Sequence, residues 1–107
     1  MSHSKVIFDD IPWTAPTPGL RVKRSSRGGK VLRLVEFTSG YDDQAWCEDG
    51  HTGYVLEGDL TFAYDDGSIA HAAGDAFQIE DGPADRHRTC IAPGERALVL
   101  LVEDAAG

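Results

Sequence analysis

Turn residues punctuate this chain too often for it to be helical. Signals fall at Ser25 to Gly29, Glu57-Gly58-Asp59, Asp65-Asp66-Gly67, Ala73-Gly74-Asp75, Glu80 to Asp85 and Ala92 to Glu95. The segments between them are short and either alternating or continuously apolar, and none sustains a 3.6-residue period. Short strands with turns about every 8–12 residues specify an all-β sandwich or barrel. The expected strands are Lys5–Phe8 (an edge), Leu20–Arg24, Lys30–Thr38, Gly53–Leu56, Leu60–Tyr64, Ser68–Ala72, Ala76–Ile79, Arg86–Ile91 and Arg96–Glu103. Glu57-Gly58-Asp59 is expected to be a hairpin turn, with Gly58 at its φ > 0 position. Ile11 to Gly19 carries three prolines and must be extended or turning, with Trp13 packing over one mouth of the fold. Ser39 to Gly50 is a polar loop, and Asp104 to Gly107 a frayed tail.

A chain of 107 residues is expected to form one domain, residues 1–107, with a core at about 20–103 and an extended N-terminal arm at 1–19. Eighteen acids against ten bases give a net charge of −8, which argues against nucleic acid or anionic lipid as partner. No apolar run approaches the length of a membrane span. The opening MSHSKVIFDD lacks the apolar core of a signal peptide. Cys47 and Cys90 form no CxxC pair and are expected to be free thiols. The cytoplasm is the expected compartment.

Two segments share one plan. Gly50 to Leu60 (GHTGYVLEGDL) resembles the first conserved motif of the cupins, and Ala73 to His87 (AGDAFQIEDGPADRH) resembles the second. The resemblance spans about Gly40 to Glu103. It implies a double-stranded β-helix, a jelly roll closed into a barrel, often dimeric. The family's usual site holds one divalent metal on three histidines and a glutamate. Here the glutamate position holds His51, and the upstream histidine positions fall near Gln44 and Trp46, or Ala45 and Cys47. Glu80 replaces the usual proline of the second motif. Asp85 stands at its ligand position, with His87 two residues on. The first motif thus has a WCExGH form, Trp46 to His51.

Strand side chains alternate faces. If His51 points inward, Gly53 and Val55 share its face, and Tyr54 and Leu56 take the other. Asp85, His87 and Thr89 share one face; Arg86, Arg88 and Cys90 take the opposite one. His51, His87 and Asp85 are therefore expected to converge as an open site for zinc, iron, manganese or nickel. Trp46, Cys47, Glu48 and Tyr54 are expected around that pocket. Cys47 is a weaker candidate for thiolate ligand or nucleophile, because Glu48 and Asp49 beside it oppose a thiolate. The bland alternative makes both histidines core residues hydrogen-bonded to neighbours. His71 is expected on the outer, solvated face. Phe62 and Phe77 are expected in the core. Arg86 and Arg88 either meet an anionic ligand or pair with surface acids.

Three functions follow. One is a small-molecule or metal-binding barrel. Another is a metal-dependent enzyme of dioxygenase, isomerase or lyase type, acting on a small polar or anionic substrate with His51 and His87 as ligands. The third, compatible with either, is a homodimer that buries an apolar face of Lys30–Thr38 and Arg96–Glu103.

Overall fold

The computed structural model describes residues 4–41 and 45–105. Gln44, one of the upstream motif positions, and the last two residues of the tail lie outside them. Eight strands follow in order: β1 (Thr14–Thr17), β2 (Leu20–Arg27), β3 (Lys30–Thr38), β4 (His51–Tyr64), β5 (Gly67–Ala72), β6 (Ala76–Ile79), β7 (Arg88–Cys90) and β8 (Arg96–Asp104). All pairings are antiparallel, and the path runs β1-β2-β3-β8-β4-β5, with β6 and β7 also on β4. No helix among the described residues is long and apolar enough to cross a membrane.

The expected break at Gly58 is absent. The two segments expected as a hairpin are one 14-residue strand, β4. Its first half pairs with β8 and β6, and its second half pairs with β5 and β7. Gly58 does take positive φ, at 78°, but it lies within the strand, paired with Ala97 just past a register shift between Val55 and Glu57. A Cβ there would stand 1.8 Å from the Arg96 carbonyl oxygen. On either side of Gly58 β4 pairs with different partners, so one strand belongs to both sheets. Local turn chemistry alone cannot distinguish such a bulge from a hairpin.

Lys5–Phe8 is likewise not a strand. A 3₁₀ turn occupies Phe8–Asp10, and the edge of β2 is taken by β1. The Phe8 carbonyl accepts from the buried Lys23 ammonium at 2.7 Å. Trp13 lies against Arg21 and Lys23, with the cations 4.5 and 4.8 Å from its ring centre. β2 runs on to Arg27, because the turn narrows to Gly28-Gly29, both at positive φ. His87 and Ile91 fall outside β7.

The inward face of β3, β8 and β4 supplies Val35, Val55, Ala97, Val99 and Leu101, and Leu60, Phe62 and Phe77 complete the core. Register aligns Val35 with Val99 and Val99 with Val55. Gly53 lets Phe77 and Leu101 close over β4, since a Cβ there would meet them at 2.5 and 2.8 Å. Outward positions are also apolar: Tyr54, Leu56 and Val102 are 44%, 41% and 41% exposed.

Candidate metal centre

His51 opens β4 in the inward row of Gly53 and Val55. His87 lies just before β7 and is 2% exposed. Cys47 reaches it through an isolated bridge: its N–H donates to the His87 carbonyl at 2.8 Å, and the His87 N–H donates back at 2.9 Å. The bridge gives an otherwise irregular loop partners for its backbone groups. It also fixes a thiol beside an imidazole far away in sequence. The two imidazoles meet edge-on, centroids 5.3 Å apart. Cys47 Sγ is 4.0 Å from His51 Nε2. One donor atom from each of Cys47, His51 and His87 lies within 4.8 Å of the others.

Nδ1 of each histidine faces an oxygen acceptor. His87 Nδ1 lies 3.1 Å from the Asp85 carbonyl oxygen, which can only accept. Nδ1 therefore carries the proton, and the Nε2 lone pair is free. His51 Nδ1 faces a Glu103 carboxylate oxygen at 3.5 Å. That is long for a hydrogen bond, and no other described residue bonds this buried nitrogen. Glu103 is itself gripped by Arg33 at 2.5 and 3.0 Å. Burial pushes Glu103 up, but the Arg33 hydrogen bonds and charge bring it below its ordinary value. Burial, then the neighbouring His87, pushes His51 below its ordinary value, and the opposing pull of Glu103 does not prevail. A neutral imidazole is the ligating form.

The donor types suit an ion, and their separations of up to 4.8 Å would have to contract to hold one. Tetrahedral zinc, with bonds of about 2.3 Å to sulfur and about 2.0–2.1 Å to nitrogen, separates its donors by roughly 3.3–3.6 Å. The 4.0 Å between Cys47 and His51 is a few tenths of an ångström from that. Three protein donors would leave a fourth position for another ligand, and all three residues line a cavity of about 150 Å³.

Asp85, expected as a ligand, is not in the cluster; Cys47 is. The 3₁₀ turn Pro83–Asp85 interrupts the strand alternation that would have aimed Asp85 inward. The turn presents the Asp85 carbonyl to His87 instead, and together with burial the Asp85 carboxylate raises the Tyr64 hydroxyl. Of the expected pocket residues only Cys47 lines the cavity. Trp46 lies outside it, its ring centre 4.9 and 4.7 Å from the Arg86 and Arg88 guanidinium carbons. Glu48 is exposed and accepts the Gly82 N–H through its carbonyl. Tyr54 faces solvent, as the alternation from His51 requires. Arg86 pairs with Asp65 at the surface. His71, expected at the surface, packs inward, its ring 5.3 and 5.7 Å from Phe62 and Phe77. Arg33 and Glu103 were not anticipated. Their signal is an acid and a base at inward positions of the two most apolar strands.

No protein-family model matches the sequence, and no curated protein matches it. Solved structures do. The polyketide cyclase RemF from Streptomyces resistomycificus is 21% identical, with a TM-score of 0.80 over 98% of this chain and 81% of that one. A sugar phosphate isomerase from a cupin superfamily, from Silicibacter pomeroyi, is 19% identical, with a TM-score of 0.77 over 96% and 76%. The chain has the cupin fold. A third cupin-like neighbour, the hydroxypropylphosphonic acid epoxidase of S. wedmorenis, is 17% identical, with a TM-score of 0.68 over 92% and 57%. That enzyme has also been solved in an Fe(II) form with an alternative substrate. In this cupin barrel the donor cluster sits inside, at the end where β4 begins and β7 is entered.

Proposed function

We propose that the protein binds one divalent metal inside its barrel through Cys47 Sγ, His51 Nε2 and His87 Nε2, and presents it to a small molecule in the adjoining cavity. The observation that carries this reading is the pair of Nδ1 atoms aimed at acceptors, which leaves both Nε2 lone pairs beside one thiol. Thiolate with imidazole favours zinc, iron or nickel over manganese, whose preference is for oxygen donors. A bound ion would supply Lewis acidity at its open position. Glu103 would hold His51 in the ligating tautomer, Arg33 would keep Glu103 ionised, and the Asp85 carbonyl would orient His87. The open position supports a metal-dependent enzyme over a purely structural ion.

Two free thiols support a reducing compartment, and the cytoplasm is proposed. The net charge of −8 supports a role away from nucleic acid and anionic lipid. Outward Tyr54, Leu56 and Val102 support a homodimer. The metal reading is tested by elemental analysis of untagged protein, alone and with Cys47→Ser, His51→Ala or His87→Ala. Near one metal per chain is expected, lost in each folded variant. Absence of metal after incubation with zinc, iron and nickel would overturn it.

A further inference from the structure

The cavity beside the donor cluster measures about 150 Å³. A cavity of about that size lined by leucine, isoleucine and phenylalanine takes benzene. Sites for drug-sized molecules run to about 300–1,000 Å³. Its walls are buried hydrocarbon: Val35, Leu60, Phe62, Phe77, Val99 and Leu101. Cys47, His51 and His87 form one cluster in its wall, and Tyr41 and Thr89 add a hydroxyl each. The only cationic side chain among the described residues lining it is Arg33, and Glu103 grips that guanidinium with two hydrogen bonds. Away from the donor cluster, an anion entering the cavity would meet no uncommitted positive charge along the apolar walls, and burying an unpaired anion there is prohibitively costly. Beyond Tyr41, Thr89 and the donor cluster, a polyol's hydroxyls would face phenyl and branched walls that cannot bond them.

We infer that the molecule this barrel takes is small, uncharged and mainly hydrocarbon: a single aromatic ring, or a branched chain of that size, carrying one donor atom. The ring lies among Val35, Phe62, Phe77 and Val99. The donor points to the Cys47–His51–His87 cluster, and that orientation rests on the metal reading proposed above. This departs from the small polar or anionic substrate expected for a metal-dependent enzyme. It also sets the chain apart from its sugar phosphate isomerase neighbour.

The test uses the full chain, chelated or loaded with zinc, and ¹⁹F NMR of fluorobenzene and 4-fluorophenol, with glucose 6-phosphate as the anionic probe. Fluorobenzene should saturate the chelated protein below its solubility limit, with NOEs from its protons to the Val35, Val99 and Leu101 methyls. Val99→Leu, which narrows the cavity, should weaken it at least tenfold, and the NOEs locate the ring without any variant. Zinc should tighten 4-fluorophenol at least tenfold but not fluorobenzene, and His51→Ala should erase that gain. Glucose 6-phosphate should show no binding. No saturable binding of either fluoroarene, or tighter binding of glucose 6-phosphate, overturns the inference. Fluorobenzene binding with no zinc-dependent gain for the phenol upholds the hydrocarbon ligand and overturns the metal reading, which elemental analysis checks separately.

Discussion

A histidine ligates through one nitrogen, and the group facing the other nitrogen decides which. In this protein the group facing His51 Nδ1 is Glu103, 3.5 Å away and clamped by Arg33, and under the proposed metal site it would be the deciding one. Glu103→Gln keeps the shape, removes the charge and leaves the guanidinium unmatched. Zinc affinity should fall roughly 10–100-fold, read by competition with a chromophoric chelator while circular dichroism stays unchanged. A loss under about twofold would remove Glu103 from the orienting role. A second carboxylate has a purely structural consequence. Glu36 is held by Arg21 at 2.9 Å and Arg96 at 3.0 Å. Burial pushes it up, but the hydrogen bonds from Arg96 and Arg21 carry it below its ordinary value of 4.5. A depressed acid stabilises the fold above its unfolded pKa. That contribution disappears as pH falls through the lower folded value. Stability should therefore drop below about pH 4.5, and Glu36→Gln should flatten this acid limb in urea melts taken from pH 6 to pH 3.

At the scale of the element, β4 carries the architecture. It contacts four other strands, and by continuing through Gly58 it belongs to both sheets. An alanine at this position would need φ near 78° and would drive its Cβ to 1.8 Å from a backbone oxygen of β8. Backbone, unlike the far end of a side chain, cannot swing away. Gly58→Ala should cost at least about 2 kcal/mol, a fall in Tm of roughly 8 °C or more for a domain of this size. A scanning-calorimetry shift below about 2 °C would mean that the strand has another way to turn. The bulge and the site are coupled, since β4 begins at His51 and pairs there with β6 and β8. Relaxing the bulge should therefore also weaken metal binding.

At the scale of the molecule, two properties depend on the barrel as a whole. The three donors come from a loop, the start of β4 and the entry to β7, so they are adjacent only when the barrel is closed. An ion that binds the folded form alone stabilises it by about 2.7 kcal/mol at a hundredfold excess over Kd. Zinc should raise the Tm by roughly 10 °C or more, and the rise should vanish in His87→Ala. The other property is the outward apolar strip. Register sets Tyr54 beside Leu100, and Leu32 and Thr52 on either side of Val102. A homodimer buried there should sediment as one species at micromolar concentration, and Tyr54→Lys with Val102→Lys should convert it to monomer. A wild-type monomer would remove the dimer.

The sequence by itself determined the fold class and most strand positions. Lys30–Thr38 and Ala76–Ile79 were legible to the residue, because alternation and turn chemistry are local. It also singled out His51 and His87, whose spacing from recognisable turns fixes their face. Only the tertiary structure decided that Gly58 lies within a strand rather than ending it, since a bulge and a hairpin use the same glycine and differ in what pairs alongside. Only the tertiary structure exchanged Asp85 for Cys47. A three-residue 3₁₀ turn resets the alternation that sequence counting assumes, and a loop bridge 40 positions away in the chain supplies the thiol. Arg33 and Glu103 complete the lesson: charges inside apolar strands mark a site, but which imidazole they serve depends on how three strands align.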